Sequence, residues 1–481
     1  MKNYRLLISN EGFLTRLVIM ADNRVEYLFI TRPDVQTGVG NIYKGRIERI
    51  ISGLNAGFVN IGESKNGFLP FEKEEPLYNV PENSDESPEK SRKSHRTGDE
   101  IIVQITKPGT AEKGMKLTTK VSLPGRFIIL IPDSPLRTLS KKITDKAERA
   151  RLMDIVARRI YDNTGFIIRT AAEGKSERYI VRELKIMLNT WSRIKRHAKV
   201  AKAPSILWSE LPVYTNVVRD YVTSDFKEIV VDDERTFKEV FKYVKFFLPE
   251  MHGKVALHRE SQRPLFVKHG IEKEIENFLS DRVFLPSGGY LIIEEGETLN
   301  AIDVNSGSSS KTNLKATVFN TNLEAAEEIP RQIRVRNLSG LIVVDFIDMK
   351  HQRERRKVFK TLNDNLEIDK AQTKILSISR LGIVEMSREK TDFKLSEILM
   401  DRCEKCRGSG YVKNTHFAAL KFRNDLSAHL LKNPGKRTAV EVSTSLHKLI
   451  MNERSLHDML KKRRVSLHEN SSLEHNAYKI I

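Results

Sequence analysis

The sequence predicts a multidomain α/β protein with a small β-barrel near its N-terminus. Three observations lead to this fold class. The chain has 481 residues, which at the usual domain size corresponds to about three domains. Between residues 40 and 72, short strand-like stretches alternate with glycines, a pattern typical of a small barrel. From residue 205 to residue 400, strand-like and helix-like stretches alternate, as they do in α/β layers.

The charge of the chain indicates a polyanionic partner. There are 82 Lys and Arg residues against 63 Asp and Glu residues, a net charge of +19. The electrostatic field of such a charge attracts polyanions, of which nucleic acid is the first candidate and an anionic membrane the second. The alternative is a basic protein that has no polyanionic partner. No apolar run reaches the roughly 18 residues of a membrane span, and the N-terminus lacks the apolar core of a secretion signal. With only two cysteines, three positions apart, we expect no disulfide framework and a cytoplasmic protein.

The first strands are expected within residues 1–36, and the barrel follows them. Phe58 and Phe68 lie in its glycine-rich strands. Exposed aromatic rings on a basic barrel stack on bases, each contributing roughly 1–3 kcal/mol, whereas buried rings would only fill the core. Residues 72–96, rich in Glu, Lys, Ser and Pro, interrupt the barrel and are expected to form a disordered loop. The barrel resumes at residue 98, and lysines follow that would line a phosphate track or form a solvated face: Lys107, Lys113, Lys116 and Lys120.

A second group of elements follows from residue 123. The stretch LPGRFIILIP is strand-like, and residues 145–163 are expected to be helical. The stretch GFIIRTAA predicts a buried strand ending at Arg169 and Thr170, whose guanidinium and hydroxyl could hold an anion. A long helix over residues 177–199 has apolar residues at helical spacing, which we assign to the core.

The α/β part begins near residue 205. Strand and helix are expected to alternate through residues 213–222, KEIVVDD and TFKEVFKYVKFF, in a layer that includes the N-terminal strands. The barrel and the following unit would then be insertions into that layer. A hairpin of residues 290–294 and 299–304, a helix over 322–336 and a strand of residues 341–344 with Asp345 at its end come next. A further helix carries Val358, Leu362 and Leu366 on one face, and TKILSIS and GIVEMS predict two more strands.

Two of these buried strands each end in a carboxylate. AIDVNSG carries Asp303 and Asn305, and VVDFIDM carries Asp345. If the strands are neighbours, two carboxylates and an amide form an all-oxygen site that suits Mg²⁺. The alternative is that both aspartates only cap turns between strand and loop.

The two cysteines stand in RCEKCRGSG, which is typical of a zinc knuckle. Cys403 and Cys406 have the spacing at which two thiolates hold one tetrahedral ion. Structural zinc takes four ligands, so either a histidine such as His416 completes the set or two chains contribute two cysteines each. The second arrangement predicts a zinc-linked homodimer; two thiols without metal are the remaining alternative. The tail from Phe417 is expected to be helical and basic.

Taken together, these motifs resemble the ribonuclease E/G family of bacterial endoribonucleases. YKGRI, AGFVNIG and GFLP are similar to an S1 RNA-binding domain, and AIDVNSG, VVDFIDM, GIVEMSR and the CxxC segment follow in the order of the family. The resemblance covers roughly residues 1–465, and no long scaffold region follows the zinc segment, as in the shorter members. It implies the following parts: an RNase H-like layer (1–36 and 215–278), an S1 domain (37–122, with the insertion 72–96), a 5′-sensor region (123–214), a DNase I-like catalytic domain (279–400), a zinc link (401–415) and a small C-terminal domain (416–481).

The resemblance also implies roles for single residues. Asp303 and Asp345 match the Mg²⁺ ligands, Asn305 matches the amide that sets the reaction geometry, and Cys403 and Cys406 match the zinc ligands shared between chains. The residues that hold the RNA strand would be Phe58, Phe68 and Lys113, and those that read a 5′-monophosphate would be Gly125, Ile129, Arg169 and Thr170. A further basic residue of that pocket falls on Gln372 here, with Lys370 and Lys374 nearby.

The function implied is that of a Mg²⁺-dependent endoribonuclease. It would cut single-stranded A/U-rich RNA by metal-activated water, leaving 5′-phosphate and 3′-hydroxyl ends, in rRNA and other precursor processing and in mRNA decay. Its expected partners are RNA with a 5′-monophosphate and a second copy of the chain, with a homotetramer as a further possibility. The competing function is a non-catalytic S1-type RNA-binding or ribosome-associated protein. A membrane-surface protein would need a basic amphipathic anchor, and none stands out.

Overall fold

The computed structural model describes residues 3–33, 38–71, 95–109, 113–160, 163–260, 263–307, 314–376, 378–379, 381–406, 408 and 410–481. Most of the loop expected at 72–96 therefore lies outside the described residues. The chain forms two units, Met1–Leu399 and Met400–Ile481. Of the helices in the described ranges, none combines the length and the apolar character that crossing a membrane requires.

The first unit opens with three antiparallel strands. They are β1 (Tyr4–Asn10), β2 (Thr15–Ala21) and β3 (Arg24–Thr31). Leu6, Leu7 and Ile8 of β1 have no exposed surface, because this strand becomes the centre of a larger sheet.

A closed five-stranded barrel follows. Its strands are β4 (Ile42–Ile51), β5 (Ala56–Asn60), β6 (Gly67–Pro70), β7 (Glu100–Lys107) and β8 (Lys116–Thr118). They pair in the order β4-β5-β6-β8-β7, and β7 pairs with β4 to close the ring. Alternate residues such as Ile47, Val59, Leu69 and Val103 fill the interior. The barrel predicted from the glycine-rich segment is confirmed.

The next group packs two helices against a small sheet. Its elements are β9 (Leu123–Pro124), β10 (Ile128–Ile131), β11 (Arg137–Leu139), α1 (Lys146–Ala157), β12 (Gly165–Ile168), α2 (Glu177–Val200) and β13 (Ser205–Trp208). The sheet order is β11-β12-β10-β9, whereas β13 joins β4 of the barrel. Helix α1 ends at Ala157, earlier than the expected residue 163, and residues 161–162 lie outside the described part. The apolar stripe of α2 is buried, as its spacing predicts.

The chain then returns to the N-terminal strands. The elements are α3 (Val213–Tyr221), β14 (Phe226–Val231), α4 (Glu234–Phe247), β15 (Val255–Leu257), α5 (Leu265–Lys268) and α6 (Ile271–Leu279). Strand β14 lies parallel to β1 and gives the order β15-β14-β1-β2-β3. This is the shared sheet that the sequence predicts. The alternation does not open with a strand at 213–222, however. That segment is helix α3, because Pro212 precedes it and the burial of Val217 and Val218 against the sheet outweighs the β-propensity of valine.

A six-stranded sheet with covering helices completes the unit. Its elements are β16 (Arg282–Phe284), β17 (Tyr290–Glu295), β18 (Leu299–Asn305), α7 (Leu314–Arg336), β19 (Gly340–Asp345), α8 (Gln352–Leu366), β20 (Thr373–Ile375), β21 (Ile383–Arg388) and α9 (Leu395–Leu399). The order is β16-β17-β18-β19-β21-β20, with β18 and β19 parallel at the centre. Val358, Leu362 and Leu366 of α8 are buried in its core, as expected.

The second unit is a small α/β structure rather than a helical tail. It contains α10 (Thr415–Lys432), β22 (Ala439–Val442), α11 (Thr444–Asn452), α12 (Arg454–Lys462), β23 (Ser466–Glu469) and β24 (Tyr478–Ile480). The strands form one sheet in the order β23-β22-β24, and Val440 and Val442 pack against Phe422 of α10. The expectation of a wholly helical tail was wrong, because these strands are only three or four residues long and carry little periodic signal.

Candidate active site and RNA-binding surfaces

The two aspartates end neighbouring strands at one edge of the six-stranded sheet. In the parallel pairing of β18 with β19, Asp303 lies directly opposite Asp345. Their neighbours Ile302 and Val344 are buried, so the alternation of side chains places both carboxylates on the same exposed face. Asn305, two residues beyond Asp303, donates from Nδ2 to Asp303 Oδ2 at 2.7 Å. We call this group of three the acidic edge.

The electrostatics of the acidic edge fit a cation. Partial burial raises the pKa of the Asp345 carboxyl, and the negative charges of Asp303 and Asp348 raise it further. Like charges held this close destabilise one another unless a positive ion lies between them. Two carboxylates and an amide oxygen are also the ligands that Mg²⁺ prefers. The residues therefore fit a hard divalent ion, although no set of three His, Cys, Asp or Glu side chains within the described ranges is close enough to hold a metal by itself.

A third carboxylate occupies the same face of the sheet. Asp345 pairs with Ile383 of β21, and Glu385 follows two residues later with its side chain exposed. The sequence contains this residue within GIVEMS, but the strand pattern alone did not single it out. Glu385 could have been recognised as a charged residue between two apolar residues of the strand, Val384 and Met386, which are buried.

The barrel presents two partly exposed aromatic rings side by side. Phe58 on β5 and Phe68 on β6 are cross-strand partners, and their ring centroids lie 5.9 Å apart at an interplanar angle of 68°. Neither belongs to the buried interior of the barrel. Lys113, exposed, comes just before β8, the strand that pairs with β6 at Phe68. The arrangement can stack unpaired bases and place a cation beside them.

The residues expected to bind a 5′-phosphate gather at one end of the small sheet. Arg169 donates from Nη1 to the carbonyl oxygen of Gly125 at 2.7 Å. Thr170 shares a hydrogen bond with the hydroxyl of Ser140 at 2.8 Å. Ile129 is buried on β10 beside Ile167, so it shapes the site without offering a polar atom. The structure thus brings Gly125, Arg169 and Thr170 to one end of the sheet.

A buried carboxylate holds the turn between β9 and β10. Glu183 on α2 accepts hydrogen bonds from the backbone N–H groups of Arg126, Phe127 and Ile128 at 2.6, 2.7 and 3.0 Å. Burial raises the pKa of the Glu183 carboxyl, and these three donors oppose that change. The sequence contained a signal that we did not use. Glu183 stands on the otherwise apolar stripe of α2, between Ile180 and Met187.

Arg169 is also paired with a carboxylate. Its Nη1 lies 2.6 Å from Asp220 Oδ1, and Asp220 also pairs with Arg219 at 2.9 Å. Burial would raise the pKa of the Asp220 carboxyl, but Arg219 and Arg169 outweigh it and lower the pKa to about 2. Lys370 contacts the carbonyl oxygen of Asp220 and lies 3.6 Å from the centre of the Tyr221 ring. Gln372 is exposed.

The cysteines lie in the second unit and precede its first helix in the sequence. Cys403 is exposed and Cys406 is half-buried. Backbone N–H groups of Cys406 and Lys405 lower the pKa of the Cys403 thiol, which favours the thiolate that binds zinc. His416 is exposed on α10. The chain offers two soft ligands at this site, half of a structural zinc set.

Comparisons with known proteins agree on one family. The sequence profile of the Ribonuclease E/G family matches residues 122–391. Ribonuclease G of Haemophilus influenzae is 33% identical over 450 residues, which cover 92% of this chain and 90% of that protein. Ribonuclease G of Escherichia coli K12 is 33% identical over 88% of this chain and 87% of its own length. Ribonuclease E of Haemophilus influenzae is 34% identical over 91% of this chain but only 47% of its own length.

Proposed function

This chain belongs to the ribonuclease E/G family and is an endoribonuclease, and we propose that the acidic edge is its Mg²⁺-dependent catalytic centre. The observation that carries the proposal is the register of β18 and β19, which puts Asp303 and Asp345 opposite each other on an exposed face. In the proposed reaction, single-stranded A/U-rich RNA is hydrolysed to leave a 5′-phosphate and a 3′-hydroxyl.

The residues of the acidic edge would have two roles, binding the metal ion and orienting one of its ligands. Asp303 and Asp345 would hold Mg²⁺, and the amide of Asn305 fixes the orientation of the Asp303 carboxylate through its 2.7 Å hydrogen bond. When bound, the ion lowers the pKa of a water molecule and offsets the charge that builds up on the phosphate under attack. Attack by water rather than by the ribose 2′-hydroxyl accounts for the proposed ends.

The barrel would select unpaired RNA. Base stacking on Phe58 and Phe68 requires bases that are not held in a duplex, and Lys113 would neutralise a neighbouring phosphate. The barrel and the acidic edge belong to the same unit of the chain, Met1–Leu399. This supports a path in which an RNA strand that is bound at the barrel is cleaved at the acidic edge.

The end of the small sheet would sense a 5′-monophosphate. Gly125, Ile129, Arg169 and Thr170 would shape and line the pocket, and an incoming phosphate would compete with Asp220 for the Arg169 guanidinium. Lys370 lies against the Asp220 backbone and would supply a second cation, since Gln372 has none. The Lys370 side chain is exposed, so its ammonium would be accessible to an incoming phosphate.

The remaining parts take their proposed roles from the family. We assign the sheet of β1 and β14 to an RNase H-like layer (1–36 and 215–278), residues 37–122 to the S1 domain and residues 123–214 to the sensor. The DNase I-like domain would be 279–400, followed by the zinc link (401–415) and the small domain (416–481). Cys403 and Cys406 would share Zn²⁺ with a second chain in a homodimer, and a homotetramer could form from two dimers. The proposed cellular function of the protein is precursor rRNA processing and mRNA decay in a bacterial cytoplasm.

The proposal is tested with the variants Asp303→Asn and Asp345→Asn. Each is expected to slow cleavage of a 5′-monophosphorylated A/U-rich oligonucleotide by at least about a hundredfold, because one ligand of the ion is lost. Each should also lose the rise in melting temperature that Mg²⁺ gives the unaltered protein. Without Mg²⁺, Asp345→Asn is expected to unfold at a higher temperature than the unaltered protein, since the repulsion around Asp345 is relieved.

A matched control is Asp364→Asn, which removes an exposed carboxylate from α8 in the same unit. It should retain both cleavage and stabilisation by Mg²⁺. Full cleavage by either acidic-edge variant would refute the assignment, and binding of the oligonucleotide without cleavage by the unaltered protein would favour a non-catalytic RNA-binding protein.

A further inference from the structure

The C-terminal half of α2 and the residues after it carry charges of one sign. Between residues 184 and 202 there is no Asp or Glu. The cations in this stretch are all exposed: Lys185, Arg193, Lys195, Arg196, Lys199 and Lys202. Among the described residues, none of them forms an ion pair with a carboxylate. The Lys195 ammonium lies 5.8 Å from the centre of the Trp191 ring, and ion pairing within the described residues does not account for the number of these cations.

The geometry of the helix arranges these cations in a row. At 100° per residue, Lys185, Arg193, Arg196 and Lys199 point to one side of α2. The opposite side, with Leu184, Met187, Trp191 and Ile194, is buried in the core and fixes the orientation of the helix. From residue 185 to residue 199 the row extends about 21 Å, at 1.5 Å per residue. We call this surface, with Lys195, the basic face.

The basic face is attached to the barrel. Strand β13, which follows α2, pairs with β4 of the barrel, and Lys44 of β4 donates from Nζ to the carbonyl oxygen of Ala201 at 2.9 Å. An open groove of about 510 Å³ lies between them, lined by Lys195 and Lys199 of α2 and by residues of β4 and β7. The carboxylate of Glu100 also lines this groove, but Lys44 and Arg46 pair with it at 2.9 and 3.0 Å. The groove is therefore positively charged on balance.

We propose that the basic face binds the phosphate backbone of long RNA, as a second contact surface beside the barrel. Rows of lysine and arginine on a rigid helix attract phosphates without reading sequence. The row faces solvent, and the groove continues it toward the barrel. This surface depends on neither the acidic edge nor the phosphate pocket, so it would act on RNA whatever its 5′ end.

An anionic membrane is the other polyanion that such a helix could meet. A helix that lies on a membrane buries a broad apolar face in the lipid. The apolar side of α2 is already buried in the protein, and its exposed side offers only isolated apolar residues such as Ile186 and Val200. The charge pattern together with this burial favours RNA.

The test is a variant with four substitutions, Lys185→Gln, Arg193→Gln, Arg196→Gln and Lys199→Gln. Binding of a long single-stranded RNA with a 5′-hydroxyl is followed by fluorescence anisotropy, without Mg²⁺, over a range of salt concentrations. If all four cations contact phosphates, the slope of log Kd against log salt falls by about 3 in magnitude, at about 0.7 per contact. The affinity at low salt is expected to fall at least about tenfold.

The matched control removes the same charge from α4. The substitutions Arg235→Gln, Lys238→Gln, Lys242→Gln and Lys245→Gln alter a helix that also carries two carboxylates, which form the ion pairs Arg235–Glu239 and Lys238–Glu234, both at 3.4 Å. This variant should keep the slope and affinity of the unaltered protein. Circular dichroism and thermal unfolding establish that both variants are folded. The charge-preserving pair Lys185→Arg and Lys199→Arg should also bind as tightly as the unaltered protein.

Two results would overturn the proposal. One is a salt slope and an affinity in the basic-face variant equal to those of the unaltered protein. The other is loss of binding to vesicles of anionic lipid with no change in RNA binding, which would assign the surface to a membrane. Cleavage of an oligonucleotide too short to reach from the acidic edge to α2 should be unchanged in the variant. Failure of the catalytic proposal would appear instead as full cleavage by Asp303→Asn or Asp345→Asn, which does not involve the basic face, so the two failures are distinguishable.

Discussion

At the scale of single residues, Glu183 packs tightly against the turn at Gly125. One buried carboxylate accepts three successive backbone N–H groups, which leaves no room beside the turn for a side chain. A Cβ at position 125 would lie 2.6 Å from Glu183 Cδ and 2.7 Å from the carbonyl oxygen of Ile128. Glycine is therefore required here by close approach.

The variant Gly125→Ala is expected to lower the free energy of unfolding by about 1–3 kcal/mol, because Glu183 or the turn must move. Since Arg169 donates to the Gly125 carbonyl, the same movement should reduce the preference for 5′-monophosphorylated RNA. Urea unfolding and the ratio of cleavage rates on 5′-phosphate and 5′-hydroxyl oligonucleotides measure the two effects. Gly253→Ala is the control, since no atom lies within 4 Å of its Cβ position. A stable Gly125→Ala protein with an unchanged rate ratio would contradict both the packing argument and the assignment of the pocket.

Single residues also explain what could be predicted of the site. The proximity of Asp303 and Asp345 was predictable, because each ends a short apolar run and strand ends converge at sheet edges. Asp220 was not, because its role comes from Arg169, which is 51 positions away in the sequence and is brought beside it only by tertiary packing. Lys370 is a similar case, since it meets Asp220 across 150 positions.

At the scale of elements, α1 is attached to the loop before α2 through Glu148. Its carboxylate accepts from Arg151 Nε and Nη2, both at 2.7 Å, and from the Gly174 N–H at 2.9 Å. The bonds from Arg151, then that from Gly174, lower the pKa of the Glu148 carboxyl to about 2. A carboxylate whose pKa is lower in the folded state stabilises the fold above its unfolded pKa and loses that effect as the pH falls toward 2.

The variant Glu148→Gln is expected to reduce the free energy of unfolding by about 1 kcal/mol at pH 7, a value that allows for solvent screening of a partly exposed pair. The difference from the unaltered protein should shrink between pH 4 and pH 2, since there the unaltered carboxylate becomes protonated too. Urea titrations at pH 7 and at the lowest pH where the protein stays folded measure this. Glu234→Gln, in an exposed pair on α4, should change little at either pH. A constant difference at both pH values would exclude the ion pair as the cause.

Elements whose apolar residues recur at regular spacing were predicted well. Elements that are short, or rich in β-branched residues, were not. The hairpin of β17 and β18 and the helices α2 and α8 follow from apolar spacing, because burial on one face requires it. Helix α3 was missed because valine and tyrosine favour strands, and only the packing of Val217 and Val218 against the sheet selects a helix. The three strands of the second unit were missed because each is short.

At the scale of the whole molecule, the cysteine pair predicts an assembly that depends on zinc. Chelation of zinc should convert the larger species into smaller ones on size exclusion, and Cys403→Ser and Cys406→Ser should do the same. His416→Ala separates the two arrangements. It leaves the assembly intact if four cysteines from two chains hold the ion, and it weakens zinc binding if the histidine is a ligand. An assembly that stays unchanged after verified removal of zinc would refute the link.

The pairing of β1 with β14 has a consequence for how the chain is made. The two strands are joined in parallel although Tyr4 and Phe226 are more than two hundred positions apart. At about 5–20 residues per second, a ribosome needs on the order of 10 to 40 seconds to deliver β14 after β1 has appeared. During that interval the edge of the β1-β2-β3 meander is open, with Leu6 and Ile8 uncovered, while the barrel has all its own strands and can close. Synthesis therefore exposes an apolar strand edge long before its partner exists, and this is the stage at which the nascent chain most needs protection from aggregation.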